Sequence, residues 1–308
     1  MQKICFIIAY FGKFRDDFAF WLMSVEHNPD VDFLLFTDQT LIEVPKNVTV
    51  VKSSLQDMQQ LAQKNIWEGC RIEHPYKMCD YKTAYGELFQ EYLTKYDFWG
   101  HCDVDLVFGD IRLFITDDIL NNNDRIGLEG FFTLYRNTPE INHHYWNLGE
   151  AFIKQAFYDQ DGFGLDEWGP GGKGNGTSNW WLNNKRNKLW CDLVFDSLEP
   201  YHYKFITQRA DRDKVKNVIF CYDKGKLTRY GLQDGKVIAT ETLLAHIQKR
   251  KVTVKTHPSE RFSIIPQGDY VDYISNVTPW LLRRIEYKGC IITLINKITN
   301  KLKRIFHL

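Results

Sequence analysis

Two aspartates, Asp103 and Asp105, lie within a mainly apolar and aromatic stretch at residues 98–109. Flanks of this kind are typical of the carboxyl end of a buried strand. Side chains at positions i and i+2 of a strand point to the same face, so the two carboxylates are predicted to converge. Like charges in an apolar setting need a cation between them, and Mn²⁺ or Mg²⁺ takes oxygen ligands and often binds substrate phosphates as well. The pattern therefore predicts a metal-diphosphate site.

An Asp-x-Asp pattern also has a simpler interpretation. One aspartate would cap the following helix, and the other would occupy a surface turn. The aromatic and aliphatic flanks favour the buried strand over the solvated turn.

Short apolar runs alternate with helical patterns along the first 135 residues. Strands are predicted at residues 3–9, 33–36, 48–51 and 126–135, and helices from Phe18, from Pro75 and over 111–120. This alternation predicts an α/β fold with a mostly parallel central sheet flanked by helices. Ligands of such sheets bind beyond the carboxyl ends of the strands, where Tyr10, Gly12, Asp38 and the aspartate pair lie.

The second half of the chain has three recognisable segments. Residues 161–179 are rich in Gly, Asp and Asn, which predicts a mobile loop or lid, and they lack the Gly-Lys-Ser/Thr ending of a phosphate-binding P-loop. Turn signals at residues 223–226 and 233–236 predict hairpins in a small β-rich part. We expect one catalytic domain over residues 1–262, followed by a basic amphipathic helical tail over 263–308.

Two interpretations of the tail remain open. Apolar residues recur every three or four positions with Lys and Arg at the margins, as in helices that lie on anionic membranes. The alternative is a terminal helix that docks on its own domain and exposes a basic face to solvent.

Composition limits the partners and the compartment that we expect. Lys+Arg and Asp+Glu number 39 each, so no overall positive field favours nucleic acid. The first apolar run is too short for a signal sequence, and the seven scattered cysteines fit a reducing compartment. These features predict a cytoplasmic protein, with peripheral contact to the inner face of the cell membrane through the tail.

Several segments resemble a bacterial family of polysaccharide glycosyltransferases with a GT-A (Rossmann-like) fold. The most specific segment is residues 96–105. The others follow in the same order along residues 3–255, namely 8–13, 36–38, 75–86, 166–169 and 246–251. The resemblance implies transfer of a sugar, with a UDP-hexose as the expected donor, to a cell-surface polysaccharide or a lipid-linked glycan.

The resemblance also implies roles for individual residues. Asp103 and Asp105 would hold Mn²⁺ or Mg²⁺ on the donor diphosphate, and His246 would complete the metal shell, although a lone histidine is often structural. Tyr10 would stack near the donor base, Gly12 would be part of the donor-binding site, Asp38 would contact the base or the ribose, and Lys77 or Lys82 would neutralise phosphate. The same side chains could instead be a core aromatic, a helix cap and solvated lysines.

Asp166 and Glu167, beside Trp168, are the candidate catalytic acids. An inverting transferase needs a carboxylate to deprotonate the acceptor hydroxyl, whereas in a retaining enzyme the pair would only bind acceptor hydroxyls. Two other functions stay open: a sugar nucleotidyltransferase, which usually has a glycine-rich basic loop after the first strand, and a non-catalytic glycan-binding module.

Overall fold

The structure, a computed structural model, describes residues 1–184, 186–198, 204–207, 209–248, 252–266 and 268–305, without the side chains of 292, 293, 296, 297 and 300–305. Within these residues the strands are β1 (Ile4–Ala9), β2 (Val31–Thr37), β3 (Val48–Lys52), β4 (Phe98–Cys102), β5 (Leu106–Phe108), β6 (Arg125–Glu129), β7 (Phe132–Arg136), β8 (Leu189–Trp190), β9 (Asp196–Ser197), β10 (Lys216–Asp223), β11 (Lys226–Gln233), β12 (Lys236–Glu241), β13 (Leu244–His246), β14 (Thr253–Val254), β15 (Arg261–Ile265) and β16 (Asp269–Asp272). The α-helices are α1 (Phe18–Glu26), α2 (Leu55–Asn65), α3 (Met78–Tyr81), α4 (Tyr85–Leu88), α5 (Ile111–Phe114), α6 (Asp117–Asn122), α7 (Pro139–Asn142), α8 (Glu150–Tyr158), α9 (Thr177–Asn183) and α10 (Pro279–Ile305). Short 3-10 helices cover Pro75–Lys77, Lys82–Ala84, Gln90–Tyr92, His144–Leu148 and Pro170–Gly172.

The chain divides into two compact units, each built from three segments. Unit 1 comprises Met1–Phe14, Pro29–Val104 and Ile115–Asp192, and unit 2 comprises Arg15–Asn28, Asp105–Phe114 and Leu193–Leu308. The domain boundary predicted after residue 262 lies inside β15.

Unit 1 contains a mixed sheet with the order β3-β2-β1-β4-β7-β6-β8. Neighbours from β3 to β4 pair in parallel, β7 pairs antiparallel with β4 and β6, and β8 is parallel to β6. Helices α2, α3, α4 and α8 pack on this sheet and share its buried core. The predicted α/β class, with a mostly parallel sheet flanked by helices, is confirmed in this unit.

Burial and capping explain why two of these elements form where they do. Every residue of β1 up to Ile8 is buried, as expected for a central parallel strand covered on both faces. Helix α2 begins with a capping box, in which the Ser54 hydroxyl accepts the Asp57 N–H at 3.2 Å and the Ser54 N–H donates to the Asp57 carboxylate at 2.8 Å.

Unit 2 contains two further sheets. One has the order β12-β11-β10-β15-β16-β14 and is mainly antiparallel, and the other has the order β5-β13-β9. Both predicted hairpins are confirmed, because Lys224-Gly225 and Asp234-Gly235 adopt the positive φ angles that tight hairpin turns require. Helix α10 lies in the predicted tail.

The strand predicted to carry both aspartates is in fact two strands. β4 ends at Cys102 and β5 begins at Leu106, so Asp103 and Asp105 lie in the connection between them. The reason is that β4 pairs within the sheet of unit 1, whereas β5 pairs with β13 in unit 2. The prediction that one strand presents both carboxylates on one face is therefore wrong.

Other predicted elements are interrupted. The helix predicted over 111–120 is divided into α5 and α6, because Thr116 caps α6 by accepting the Ile119 N–H at 3.3 Å. The strand predicted over 126–135 folds back at Gly130 into the antiparallel pair β6 and β7. The helix predicted from Pro75 is a series of short α and 3-10 turns.

Candidate functional site

The carboxyl ends of β1, β2 and β4 share one edge of the unit 1 sheet, since these strands pair in parallel. Tyr10, Asp38 and Asp103 each follow the last residue of one of these strands. Polar groups at this edge of a parallel sheet are in the usual position for ligand binding.

Asp38 and Gly12 are joined across this edge. The Asp38 carboxylate accepts the Gly12 N–H at 2.9 Å and the side-chain amide of Gln39 at 2.8 Å. The hydrogen bonds from Gln39 and Gly12 lower the pKa of Asp38, which is exposed and therefore ionised at neutral pH. Gly12 has a φ of +97°, which favours glycine, and apart from Gly12 and its two chain neighbours no described atom lies within 4 Å of the position of a Cβ there. Tyr10 stacks on Phe14 with ring centroids 4.6 Å apart.

Lys82 is buried beside Asp103. Its ammonium group donates to Asp103 Oδ1 at 2.6 Å and to the Gly130 carbonyl at 2.8 Å, and it lies 3.6 Å from the Asp166 carboxylate. Burial would lower the pKa of Lys82, but the negative charges of Asp103 and Asp166 outweigh it and hold this pKa well above its ordinary value. A permanent positive charge therefore lies between two acidic side chains.

Asp166 is a buried acid that titrates near neutral pH. Burial raises its pKa to about 7, the positive charge of Lys82 opposes this rise, and the charges of Glu167 and Asp103 add to it. A carboxyl group with a pKa near the working pH is suited to general acid or base chemistry. The neighbouring Glu167 instead accepts the Gly130 N–H at 3.0 Å.

Two glycines allow the segment that carries these acids to pack closely. A Cβ on Gly130 would lie 2.4 Å from Asp166 Oδ2 and 2.8 Å from Glu167 Oε1, and a Cβ on Gly176 would lie 2.2 Å from the Glu167 carbonyl. The segment is also held at its start, because the Asp80 carboxylate accepts the N–H groups of Phe163 and Leu165. At these two positions glycine is needed for close approach of backbone and side chains.

Lys77 lies apart from this group. It is fully buried, and its ammonium group binds the Asp80 carboxylate at 2.9 Å and the Asp161 carbonyl at 3.0 Å. The structure thus places Lys77 under residues 161–165 and places Lys82, the other predicted phosphate ligand, beside Asp103.

Asp105 and His246 are brought together in unit 2 by the pairing of β5 with β13. Asp105 Oδ1 lies 3.4 Å from His246 Nε2, and Asp105 Oδ2 accepts a hydrogen bond from Arg15 at 3.1 Å. The second ring nitrogen of His246 lies 3.1 Å from the Ser197 hydroxyl. Such a contact fixes the orientation of a histidine ring, and here it directs Nε2 toward the carboxylate.

The chemistry of this pair fits a divalent cation. Burial would raise the pKa of Asp105, but the hydrogen bond and charge of His246 and the charge of Arg15 outweigh it and lower this pKa. Asp105 Oδ1 is buried and lies against His246 Nε2 at 3.4 Å. A buried anionic oxygen beside an oriented imidazole nitrogen is a suitable donor set for Mn²⁺ or Mg²⁺. Asp103 is two residues away along the backbone, so the α-carbons of the two aspartates are at most about 7 Å apart.

The sequence interpretation missed Arg15, Ser197 and Gly130. Arg15 follows β1 by six positions, and a basic side chain just beyond a strand end is a signal that could have identified it. Ser197 and Gly130 gave no such signal, since their contacts involve His246 and Glu167, which are 49 and 37 positions away.

Comparison of the whole sequence with known families places it in one of them. Residues 6–272 match a family of unknown function, DUF6625. The chain belongs to this family. The DUF6625 match includes every candidate site residue from Tyr10 to His246 and ends before α10. No curated protein matches the chain.

Proposed function

We propose that this protein is a metal-dependent glycosyltransferase with a GT-A-like fold. It would move a sugar from a nucleotide-sugar, most simply a UDP-hexose, to a cell-surface polysaccharide or lipid-linked glycan. The observation that carries the proposal is the position of Asp103, which follows β4, a central strand of the unit 1 sheet, and is paired with the buried Lys82. The next acid along the chain, Asp105, faces His246.

Asp103, Asp105 and His246 are the proposed ligands of Mn²⁺ or Mg²⁺. Support comes from the buried Oδ1 of Asp105 beside His246 Nε2, from the oriented ring of His246, and from the short chain segment that links the two aspartates. When bound, the cation would neutralise charge on the departing diphosphate.

Residues at the edge of the unit 1 sheet would bind the rest of the donor. The Tyr10 and Phe14 rings offer a stacked aromatic surface for the base, and the Gly12 backbone leaves room for a ligand to approach. The ionised Asp38 would accept hydrogen bonds from ribose hydroxyls. Lys82 would hold Asp103 in place and add positive charge near the diphosphate.

Asp166 is the proposed general base if the enzyme inverts configuration. Its pKa of about 7 makes it a stronger base than an ordinary aspartate, while a useful fraction remains ionised at neutral pH. Glu167, bound to the Gly130 N–H, would position the segment. If the enzyme retains configuration, both acids would bind acceptor hydroxyls instead.

Release of the nucleotide product tests the proposal. UDP-, GDP- and CDP-sugars are incubated with Mn²⁺, with and without EDTA, and wild type is compared with Asp103→Asn. We expect turnover of one donor that requires the metal and is lost in the variant. If no donor is turned over and none binds in the presence of Mn²⁺, the proposal is wrong.

We further propose that α10 lies on an anionic membrane surface. One side of the helix, including Leu282, packs on the β10–β11 region of unit 2. On another side lie five exposed apolar or aromatic side chains, within an arc of about 60° at 100° per residue. They are Trp280, Tyr287, Ile291, Leu294 and Ile298, with exposures of 41–68%.

The charge of α10 supports the same assignment. The sequence 279–305 contains seven Lys or Arg residues and one acid, Glu286. A basic helix with exposed aromatic and aliphatic side chains is typical of interfacial membrane binding. In the described part of the chain, no helix has both the length and the apolar character needed to cross a membrane.

A further inference from the structure

A cleft of about 800 Å³ opens in unit 1. It is lined by α9, by the turn before it and by residues around the start of α8. The lining residues are Asn147, Leu148, Phe152, Gly174, Asn175, Asn179, Trp180, Asn183 and Asn184. This volume lies within the range of about 300–1,000 Å³ that is usual for small-molecule sites.

The lining combines aromatic rings with many neutral amides. Five asparagines share the cleft with Trp180 and Phe152, and none of the described lining residues carries a charge. Each amide offers donors and acceptors together, which matches a hydroxyl group, since a hydroxyl also donates and accepts. Aromatic rings pack against flat apolar faces, such as the C–H face of a pyranose.

Several of these amides are held in fixed orientations. Asn147 donates to the His144 carbonyl at 2.8 Å, Asn179 donates to the Gly174 carbonyl at 2.7 Å, and Asn183 donates to Asn179 Oδ1 at 2.7 Å. A side-chain amide has two donor hydrogens and an oxygen with two lone pairs, so one or two hydrogen bonds use only part of its capacity. Preorganised polar groups of this kind reduce the entropy lost on binding.

The same helix connects the cleft to the segment that carries the acids. In the first turn of α9, the Thr177 N–H donates to the Leu165 carbonyl at 2.9 Å and the Ser178 N–H donates to the Glu167 carbonyl at 3.0 Å. The following residues of α9, including Asn179, Trp180 and Asn183, line the cleft. A ligand that binds along α9 is therefore held by the element that anchors Asp166 and Glu167.

We propose that this cleft binds a neutral oligosaccharide, as the subsite for the acceptor glycan. Trp180 would stack on one sugar face, and the asparagine amides would hydrogen bond to the hydroxyls. The inference of carbohydrate binding depends only on the residues of the cleft, whereas the role of the cleft as the acceptor subsite rests on the proposed glycosyltransferase function.

Binding of defined glycans by the full chain tests the site. An array of neutral and acidic oligosaccharides identifies a binder, whose affinity is then measured for wild type, Trp180→Ala and Asn183→Ala. We expect binding of a neutral glycan, weakened about tenfold by the loss of the aromatic surface. Tyr158→Ala, which removes an exposed aromatic ring from the end of α8, is the control and should bind as wild type does.

Asn183→Ala keeps the test decisive if Trp180→Ala does not fold, because Asn183 is exposed at the end of α9. The proposal is overturned if no neutral glycan binds, if acidic glycans bind in preference, or if the folded cleft variants bind as tightly as wild type.

Hydrolysis of the donor by water separates this proposal from the function. It needs no acceptor, so Trp180→Ala should retain metal-dependent nucleotide release while it loses transfer to the glycan. Asp103→Asn should lose both activities. Glycan binding with neither nucleotide release nor donor binding in the presence of Mn²⁺ would contradict the glycosyltransferase function and leave the carbohydrate cleft supported.

Discussion

Ionisation of Asp166 opposes folding, and one substitution can remove this effect. The side chain is only 9% exposed, and burial is the main reason that its pKa is raised from 3.8 to about 7. Asparagine has nearly the same shape as a protonated aspartic acid and carries no charge at any pH. Asp166→Asn should therefore resemble the protein with this proton permanently bound.

The direction of the pH effect follows from the raised pKa. Below pH 3.8 the acid is protonated in both the folded and the unfolded chain, and its contribution to stability is fully present. As the pH rises from 3.8 to about 7 the unfolded chain releases this proton more readily than the folded protein does, so the contribution is lost progressively, and above pH 7 the loss is complete. A rise of the pKa from 3.8 to about 7 corresponds to about 4 kcal/mol at about 1.4 kcal/mol per pKa unit.

Urea unfolding followed by tryptophan fluorescence measures this effect at two pH values. We expect Asp166→Asn to exceed wild type in free energy of unfolding by about 4 kcal/mol at pH 8.5 and by about 2 kcal/mol at pH 5. Asp161→Asn, the same substitution at an exposed position of the same segment, should show no such dependence. The reasoning is refuted if the difference is equal at both pH values or if Asp166→Asn is the less stable protein at pH 8.5.

Three more substitutions test contacts described above. Lys82→Met leaves two carboxylates without their cation and should lower the free energy of unfolding by about 3 kcal/mol. This loss is smaller than for a fully buried pair because Asp103 is 36% exposed. Urea unfolding measures the loss, and an unchanged unfolding midpoint would contradict the ion pair. Gly130→Ala should cost about 1–3 kcal/mol in the same assay through its clash with Asp166, whereas wild-type stability would contradict the close packing. Leu294→Glu should weaken sedimentation with phosphatidylglycerol vesicles, and Ile42→Glu, an exposed control in unit 1, should not; equal binding by both variants would contradict the membrane surface.

The fold was most predictable where local patterns decide it. The apolar strands around Ile7, Leu35 and Val50 and the Gly225 and Gly235 hairpins were all recognisable from periodicity and turn chemistry. The break between β4 and β5 was not, since it depends on pairing with β1 and with β13, which are distant in the sequence.

The candidate site divides in the same way. Strand ends identify Tyr10, Asp38 and Asp103, because their position depends only on where each strand stops. The environment of Lys82 and the raised pKa of Asp166 come from tertiary burial, for which the sequence has no local signal. The glycine-rich segment illustrates the limit well, because its composition indicates mobility while Gly176 is required there for close backbone packing.

Binding of Mn²⁺ decides whether this protein has the proposed metal-diphosphate site. Mn²⁺ is titrated into wild type, Asp105→Asn and His246→Ala, with and without UDP. The decrease of the electron paramagnetic resonance signal of free Mn²⁺ measures how much of the ion is bound. Asp110→Asn, five residues further along the chain, is the control, since asparagine keeps the side-chain oxygen that accepts the Leu113 N–H. We predict one Mn²⁺ per chain, bound more tightly with UDP, and affinities at least about tenfold weaker in the two ligand variants only. Wild type that binds no Mn²⁺ in the presence of UDP, or ligand variants that bind it as wild type does, would contradict the account.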